Sequence, residues 1–294
     1  MISVIIPCYN QAHFLRDAVG SVVAQTCSEW EIVIVNDGSP DNCSDVARMV
    51  MREFPRSEIR LVEQRNGGLS SARNAGIAAS AGEFILPLDA DDMLRPTYFG
   101  KALALFERFP EIAIVYTDQE YFGARQLLVR TLEFSPRKVL FENQFAYCSM
   151  YRRRVWEAVG GYDTSFAIGS EDWNFWLGCV EKGFVARRIP EPLFLYRVRE
   201  GSMWERAREH DLQLRAQLVL KHPTLFGERL VSFAESVASN EKLVPHHGGR
   251  LRVLLVRLKL HLWTAFLSGD ARFILRTVRF FTRLVGRALF HSSN

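Results

Sequence analysis

Glu83-Phe-Ile-Leu-Pro-Leu-Asp-Ala-Asp-Asp92 is an apolar, strand-like run that ends in three carboxylates around one alanine. Negative charge packed this densely calls for a cation. Mg²⁺ or Mn²⁺ takes oxygen ligands, usually one or two carboxylates, with water and substrate phosphates completing the shell. The cluster therefore points to a nucleoside diphosphate as partner. A purely structural reading competes with this one, because Asp is favoured at helix starts and Pro96 suits a first turn. The two are compatible if Asp92 caps a helix while Asp89 and Asp91 do chemistry.

Outward from this stretch the pattern repeats. Ile2-Ser-Val-Ile-Ile6 and Glu31-Ile-Val-Ile-Val35 are short β-branched runs bounded by turn signals, the signature of buried parallel strands. Further strands are expected at residues 59–62 and 84–88, and helices over 13–25, 43–54, 69–81 and 97–109. Strand and helix alternating at this spacing predict an α/β fold, a Rossmann-type mostly parallel sheet flanked by helices on both faces. Ligands of such open sheets bind beyond the carboxyl ends of the strands. Three polar clusters fall there, Pro7-Cys-Tyr-Asn10, Asn36-Asp-Gly-Ser39 and Asp89-Ala-Asp-Asp92, and are expected to converge on one crevice.

Val4-Ile-Ile-Pro-Cys-Tyr-Asn10, Val35-Asn-Asp-Gly-Ser39, Arg65-Asn-Gly-Gly-Leu-Ser-Ser-Ala-Arg-Asn-Ala-Gly76 and Leu88-Asp-Ala-Asp-Asp92 resemble, in order and spacing, the successive motifs of family 2 glycosyltransferases. A later element, Gly169-Ser-Glu-Asp-Trp-Asn-Phe-Trp-Leu177, extends the resemblance over roughly residues 1 to 205. It implies a GT-A-like fold, a nucleoside-diphosphate sugar donor, most naturally a UDP-sugar, and transfer with inversion at the anomeric carbon.

The same resemblance assigns roles. Asp37 matches the carboxylate that accepts a hydrogen bond from the nucleotide base, with Pro7 and Tyr9 shaping the base pocket. Arg73, charged at any working pH, is expected to reach the base or the phosphates. Asp89 takes the ribose contact, with Ala90 beside it in the donor site, and Asp91 ligates Mn²⁺ or Mg²⁺, which offsets charge on the leaving diphosphate. Asp172 matches the general base and Glu171 a supporting acid; both open a helix whose dipole favours a negative charge, while repulsion between adjacent carboxylates pushes one pKa upward. In Leu195-Tyr-Arg-Val-Arg-Glu-Gly-Ser202, which resembles the segment closing over the diphosphate, many relatives carry His where this chain has Arg199. The departure turns a metal-ligating His into a direct Arg-to-phosphate contact.

Composition bounds the setting. The 294 residues, 48% hydrophobic and 24% charged, suffice for one α/β core and an appendage. Five cysteines without Cys-x-x-Cys spacing imply reduced thiols and a cytoplasmic location, and there is neither a leader-like start nor an apolar run long enough to span a bilayer. Charge is unevenly spread: residues 250–294 hold nine basic side chains against one acidic, net +8, which leaves −4 on residues 1–249. Three regions are expected: a transferase domain over 1–222, a helix and linker over 223–249, and a basic helical extension over 250–294. With about 100° per residue, Arg272, Arg276, Arg279, Arg283 and Arg287 fall within an arc of about 80°. An amphipathic helix of this kind lies on an anionic membrane or packs on the domain with its Arg stripe in water. Arg set among Phe and Leu suits lipid better than nucleic acid.

Together these features predict a metal-assisted enzyme, peripheral on the cytoplasmic face of a membrane, that moves one sugar to a glycan or lipid-linked acceptor in polysaccharide biosynthesis. The alternatives are a nucleotidyltransferase, whose Gly-rich basic first loop residues 7–11 do not resemble, and a non-catalytic sugar-nucleotide-binding scaffold.

Overall fold

The computed structural model describes residues 1–201 and 203–238. The chain divides into two compact units, Met1–Leu214 and Arg215–Asn294. In the first, strands β1 (Ile2–Cys8), β2 (Trp30–Asp37), β3 (Ile59–Gln64) and β4 (Phe84–Pro87) alternate with helices α1 (Ala12–Val23), α2 (Cys43–Glu53) and α3 (Leu69–Ala78). There follow β5 (Met93–Leu94), α4 (Tyr98–Arg108), β6 (Ile112–Gly123), β7 (Leu127–Val129), α5 (Pro136–Val139), β8 (Met150–Arg152), α6 (Arg153–Val159), α7 (Glu171–Glu181), β9 (Val185–Val198) and α8 (Met203–Glu209). Helix α9 (Asp211–Lys221) spans the division, and the described part of the second unit ends with a 3₁₀ turn (Pro223–Leu225) and α10 (Glu228–Ala238). The linker at 239–249 and the basic stretches at 250–294, with the membrane expectation attached to them, lie outside the described residues. No helix among the described residues is long and apolar enough to cross a membrane.

The described strands form one sheet in the order β3-β2-β1-β4-β8-β6-β9-β5, with β7 on β6. β1, β2, β3 and β4 run parallel, as do β6 and β9, whereas β8 joins β4 to β6 antiparallel. β1, β2 and β4 read as largely apolar runs because both faces are covered, whereas β3, Ile-Arg-Leu-Val-Glu-Gln, is buried only at Ile59. Ile2, Val4, Ile6 and Cys8 pack with Leu15, Val19 and Val22 of α1, Ala47 and Val50 of α2, and Phe99, Ala102 and Phe106 of α4. Ile5 faces the other way, onto α3.

That contact is close enough to require glycine. A Cβ at Gly76 would lie 2.5 Å from Ile5 Cγ2 and 2.9 Å from Val35 Cγ2. Gly76→Ala is therefore expected to lower unfolding free energy by about 1–3 kcal/mol through overpacking, despite the better helix propensity of Ala. Urea denaturation measures this; an unchanged or raised midpoint would mean the helix slides off without cost.

The later elements carry the rest of the site. Phe175 and Trp176 of α7 are buried among Phe145, Tyr151 and Tyr162, with ring centroids 4.5 to 6.1 Å apart, so the helix is anchored by its aromatic face. Gly169 and Ser170 take φ of +134° and +66°, turning the chain sharply into α7. Glu171 and Asp172 thus occupy the first two positions of a helix whose orientation the core dictates.

Candidate active site

A cavity of about 780 Å³, within the range of about 300–1,000 Å³ usual for small-molecule sites, opens beyond the carboxyl ends of β1, β2 and β4. The order β3-β2-β1-β4 makes the gap between β1 and β4 a topological switch point. Pro7, Tyr9, Asp37, Arg73, Asp89, Asp91, Glu171, Asp172 and Arg199 all line this cavity, so every candidate side chain but one is brought together. The exception is Ala90, wholly buried in the core.

At the β2 end, Asp37 is 3% exposed. Its Oδ1 accepts from Gln64 Nε2 (2.6 Å) and the Gly67 N–H (2.8 Å), and its Oδ2 from the Gly68 N–H (2.9 Å). The carboxylate thus holds the Gly67-Gly68 loop and keeps one acceptor site on Oδ2, since a carboxylate accepts about four hydrogen bonds. Tyr9 stands half exposed at the cavity edge.

Arg73 lines the cavity yet is fully buried. Its Nη2 pairs with Asp89 Oδ1 at 2.9 Å and its Nη1 with Glu171 Oε1 at 2.7 Å, while the guanidinium lies 4.6 Å from the Tyr147 ring centroid. The cation therefore serves two carboxylates that stand 82 residues apart in sequence. Burial pushes the Asp89 carboxyl up, Arg73 pulls it back, and Asp91 and Glu171 raise it again, to about 6.

Asp92 does not cap a helix; Thr97 stands at the start of α4. It accepts the Tyr147 hydroxyl at 2.6 Å and the Arg197 N–H at 2.6 Å, and Tyr147 Oη in turn accepts the Asp89 N–H at 3.0 Å. Burial, with Asp91 and Asp89 close by, pushes the Asp92 carboxyl well up. Arg197 donates to the Asp91 carbonyl at 2.7 Å and is held between the Phe14 and Phe122 rings, each centroid 4.4 Å away. Tyr147 and Arg197 had no sequence signal beyond, for Arg197, its place in the 195–202 segment.

Asp91, 9% exposed, accepts on Oδ2 from Arg199 Nε at 2.8 Å and Nη2 at 2.7 Å, and from Gln11 at 3.4 Å. The expected metal ligand and the expected phosphate contact are thus paired with each other. Among the described residues no group of three or more His, Cys, Asp or Glu side chains could hold a metal ion. The donor set fits only a hard cation that arrives with phosphate oxygens and takes one or two carboxylates from protein.

The adjacent acids of α7 separate. Glu171 turns to Arg73, whereas Asp172 accepts the Asn143 amide on Oδ2 at 2.8 Å and the Trp173 N–H on Oδ1 at 2.7 Å. Burial and the neighbouring Glu171 push its pKa up to about 7, against the opposing pull of Asn143, Arg73 and the Trp173 N–H. The helix N-terminus, worth about 0.3–1 kcal/mol when exposed, does not outweigh that burial.

The comparisons with known proteins bear on the family and the fold. A glycosyltransferase of Nostoc, alr2836, is 34% identical over 61% of this chain, and the match spans 58% of that relative's length. Among solved structures, S. aureus TarS 1-349 in complex with UDP-GlcNAc superposes with a TM-score of 0.62 over 82% of this chain and 72% of its own, at 17% identity. The mannosyltransferase PcManGT of Pyrobaculum calidifontis, in complex with GDP-Man and Mn²⁺, gives 0.57 over 94% and 85%, at 18% identity. These likenesses bear out the GT-A-like fold. The model of the family described as Glycosyl transferase family 2 matches residues 3–174, more than half of the sequence, and the chain belongs to that family.

Proposed function

We propose that this transferase moves a single sugar from a nucleoside-diphosphate sugar, with UDP as the favoured carrier, to a hydroxyl of a glycan or lipid-linked acceptor, inverting the anomeric carbon. The observation that carries the reading is Asp172 lining the same cavity as Asp89 and Asp91, its carboxyl pushed up to about 7 by burial and the neighbouring Glu171. A general base works best when its pKa lies near the working pH.

In this reading Asp37 and Tyr9 hold the base, Asp89 the ribose, and Arg199 a diphosphate oxygen once it leaves Asp91. The acceptor hydroxyl attacks the anomeric carbon opposite the diphosphate; the new C–O bond forms as the bond to the phosphate oxygen breaks, and the hydroxyl proton passes to an oxygen of Asp172. A divalent cation held by Asp91 would supply Lewis-acid stabilisation of the departing diphosphate. Because that carboxylate alone cannot make a cage, Asp91 would hold the cation only together with diphosphate oxygens. Buried Arg73 acts at a distance, holding Asp89 on the donor side and Glu171 beside the base.

Thermal-shift measurements test the donor half. UDP with Mn²⁺ should raise the melting point more than the sum of UDP alone and Mn²⁺ alone, since ligands of the folded state stabilise by mass action. Asp91→Ala should erase the synergy and cut UDP release from UDP-GlcNAc or UDP-glucose by roughly 10²-fold, about 3 kcal/mol of electrostatic stabilisation. An unchanged UDP shift in chelator, with normal turnover by Asp91→Ala, would remove the metal from the proposal. Binding with no turnover toward any donor or acceptor would favour a scaffold.

A further inference from the structure

Asn143 sits on the segment between α5 and β8 and lines the cavity. It is solvent-exposed, yet its surroundings are pinned. The neighbouring Gln144 is buried and accepts the Ser135 N–H at 3.0 Å, and Phe145 stacks on Tyr116 at 4.7 Å. Four residues upstream, the Val139 carbonyl accepts the Trp173 indole N–H at 2.6 Å. The segment is thereby tied to α7 through two successive side chains of the helix, Asp172 and Trp173. Held on both flanks, Asn143 presents its amide 2.8 Å from Asp172 Oδ2.

We propose that Asn143 is a positioning residue for proton transfer: it orients the Asp172 carboxylate toward the acceptor and favours its ionised form without adding a charge. This rests on Asp172 being the base. A carboxylate must be ionised to take a proton and becomes a neutral acid once it has done so. A side-chain amide suits both states, because its NH₂ donates to a carboxylate and its carbonyl accepts from a carboxylic acid. Lys or Arg in that place would bind the ionised form alone and oppose protonation. Among the described residues, the other charged or titratable groups around Asp172 are Glu171 on its own helix, Arg73 from α3 and Tyr162 from the loop after α6, with Arg208 of α8 and Asp211 of α9 lining the same cavity. Of the groups that lower its pKa, Asn143 contributes most, ahead of Arg73 and the Trp173 N–H.

The test uses the full-length protein with Asn143→Ala, Asn143→Asp and Asn143→Gln. It follows kcat/KM for UDP release from UDP-GlcNAc or UDP-glucose against pH, water serving as acceptor, and the Asp172 carboxyl carbon by ¹³C NMR titration. For Asn143→Ala the acid limb and the NMR titration should both move up by about one pH unit, which lowers kcat/KM at pH 7 about fivefold and largely restores it at pH 9. Asn143→Asp should move both further, while Asn143→Gln, which keeps the donor, should stay within about twofold of the unaltered protein. Melting points should be unchanged below about pH 6 and should fall at about pH 8 to 9, where the raised Asp172 pKa costs the folded state stability. A pH-independent loss with the Asp172 titration unmoved would overturn the proposal and make Asn143 a substrate contact; so would no change in any variant. Asp172→Asn is the control that separates the two readings: if it retains full turnover, the base assignment fails, whereas a dead Asp172→Asn with an unmoved limb in Asn143→Ala defeats the positioning role alone.

Discussion

Asp172→Asn is expected to lower turnover by about 10³-fold, within the 10²–10⁴ usual for loss of a positioned base, while donor affinity stays within a few-fold. The amide keeps the size of the carboxyl and still meets Asn143, but it cannot accept a proton. In the unaltered protein kcat/KM should rise with pH through about 7, the value to which burial and Glu171 bring this carboxyl, and then level off. The variant should lose that limb. Stability should move the opposite way. A carboxyl whose pKa is raised by folding binds its proton more tightly in the native state, so its cost is absent below the ordinary carboxylate range and complete above about 7. Asp172→Asn should thus be more stable than the unaltered protein at pH 8, by about 1–3 kcal/mol, and equal to it near pH 4. Retained turnover with a retained acid limb would move the base elsewhere, with Glu171 next.

Arg73→Met should cost about 3–5 kcal/mol of stability at pH 7, the usual penalty for removing one partner of a buried ion pair. Met fills much of the volume but leaves Asp89 and Glu171 facing a buried apolar side chain, 82 positions apart in sequence and joined only through this guanidinium. The Asp89 carboxyl, which Arg73 pulls down, then titrates higher, so the loss should be larger at pH 8 than at pH 5. Arg73→Lys should recover only part, because a single ammonium cannot span both acids as the planar fork does. Guanidinium denaturation at the two pH values measures this; a loss under about 1 kcal/mol would mean that water or rearranged side chains satisfy the acids. Turnover should fall with stability, since the same cation holds the donor-side Asp89 and the neighbour of the base.

Strands β1, β2 and β4, and the helices up to Phe109, were legible because strands covered on both faces are largely apolar; β3 showed only as a short run at 59–62, and the two-residue β5 left no run to read. The convergence of residues 7–10, 36–39 and 89–92 followed from sheet topology alone, since each cluster stands at the carboxyl end of a parallel strand. Beyond residue 110 legibility dropped. There β8 and β9 enter the sheet by pairings between distant segments, and a register such as Gly123 on Val198 leaves no local pattern to read.

The sequence by itself determined the family, the parallel first part of the sheet and most of the acids that meet in the cavity, because those depend on local periodicity and on motifs of a few residues. It could not apportion the acids, since the roles depend on partners supplied from far along the chain. Asp92 is structural because Tyr147 and Arg197 reach it from 55 and 105 residues away. Glu171 meets Arg73 and Asp172 meets Asn143 because successive side chains on a helix diverge by about 100°, and only the placement of α7 against Arg73 says which of the two meets the cation. Asp91 and Arg199 face each other across 108 positions, so the chemistry of either depends on the other. Electrostatics falls off with distance in space, and that distance belongs to the tertiary structure.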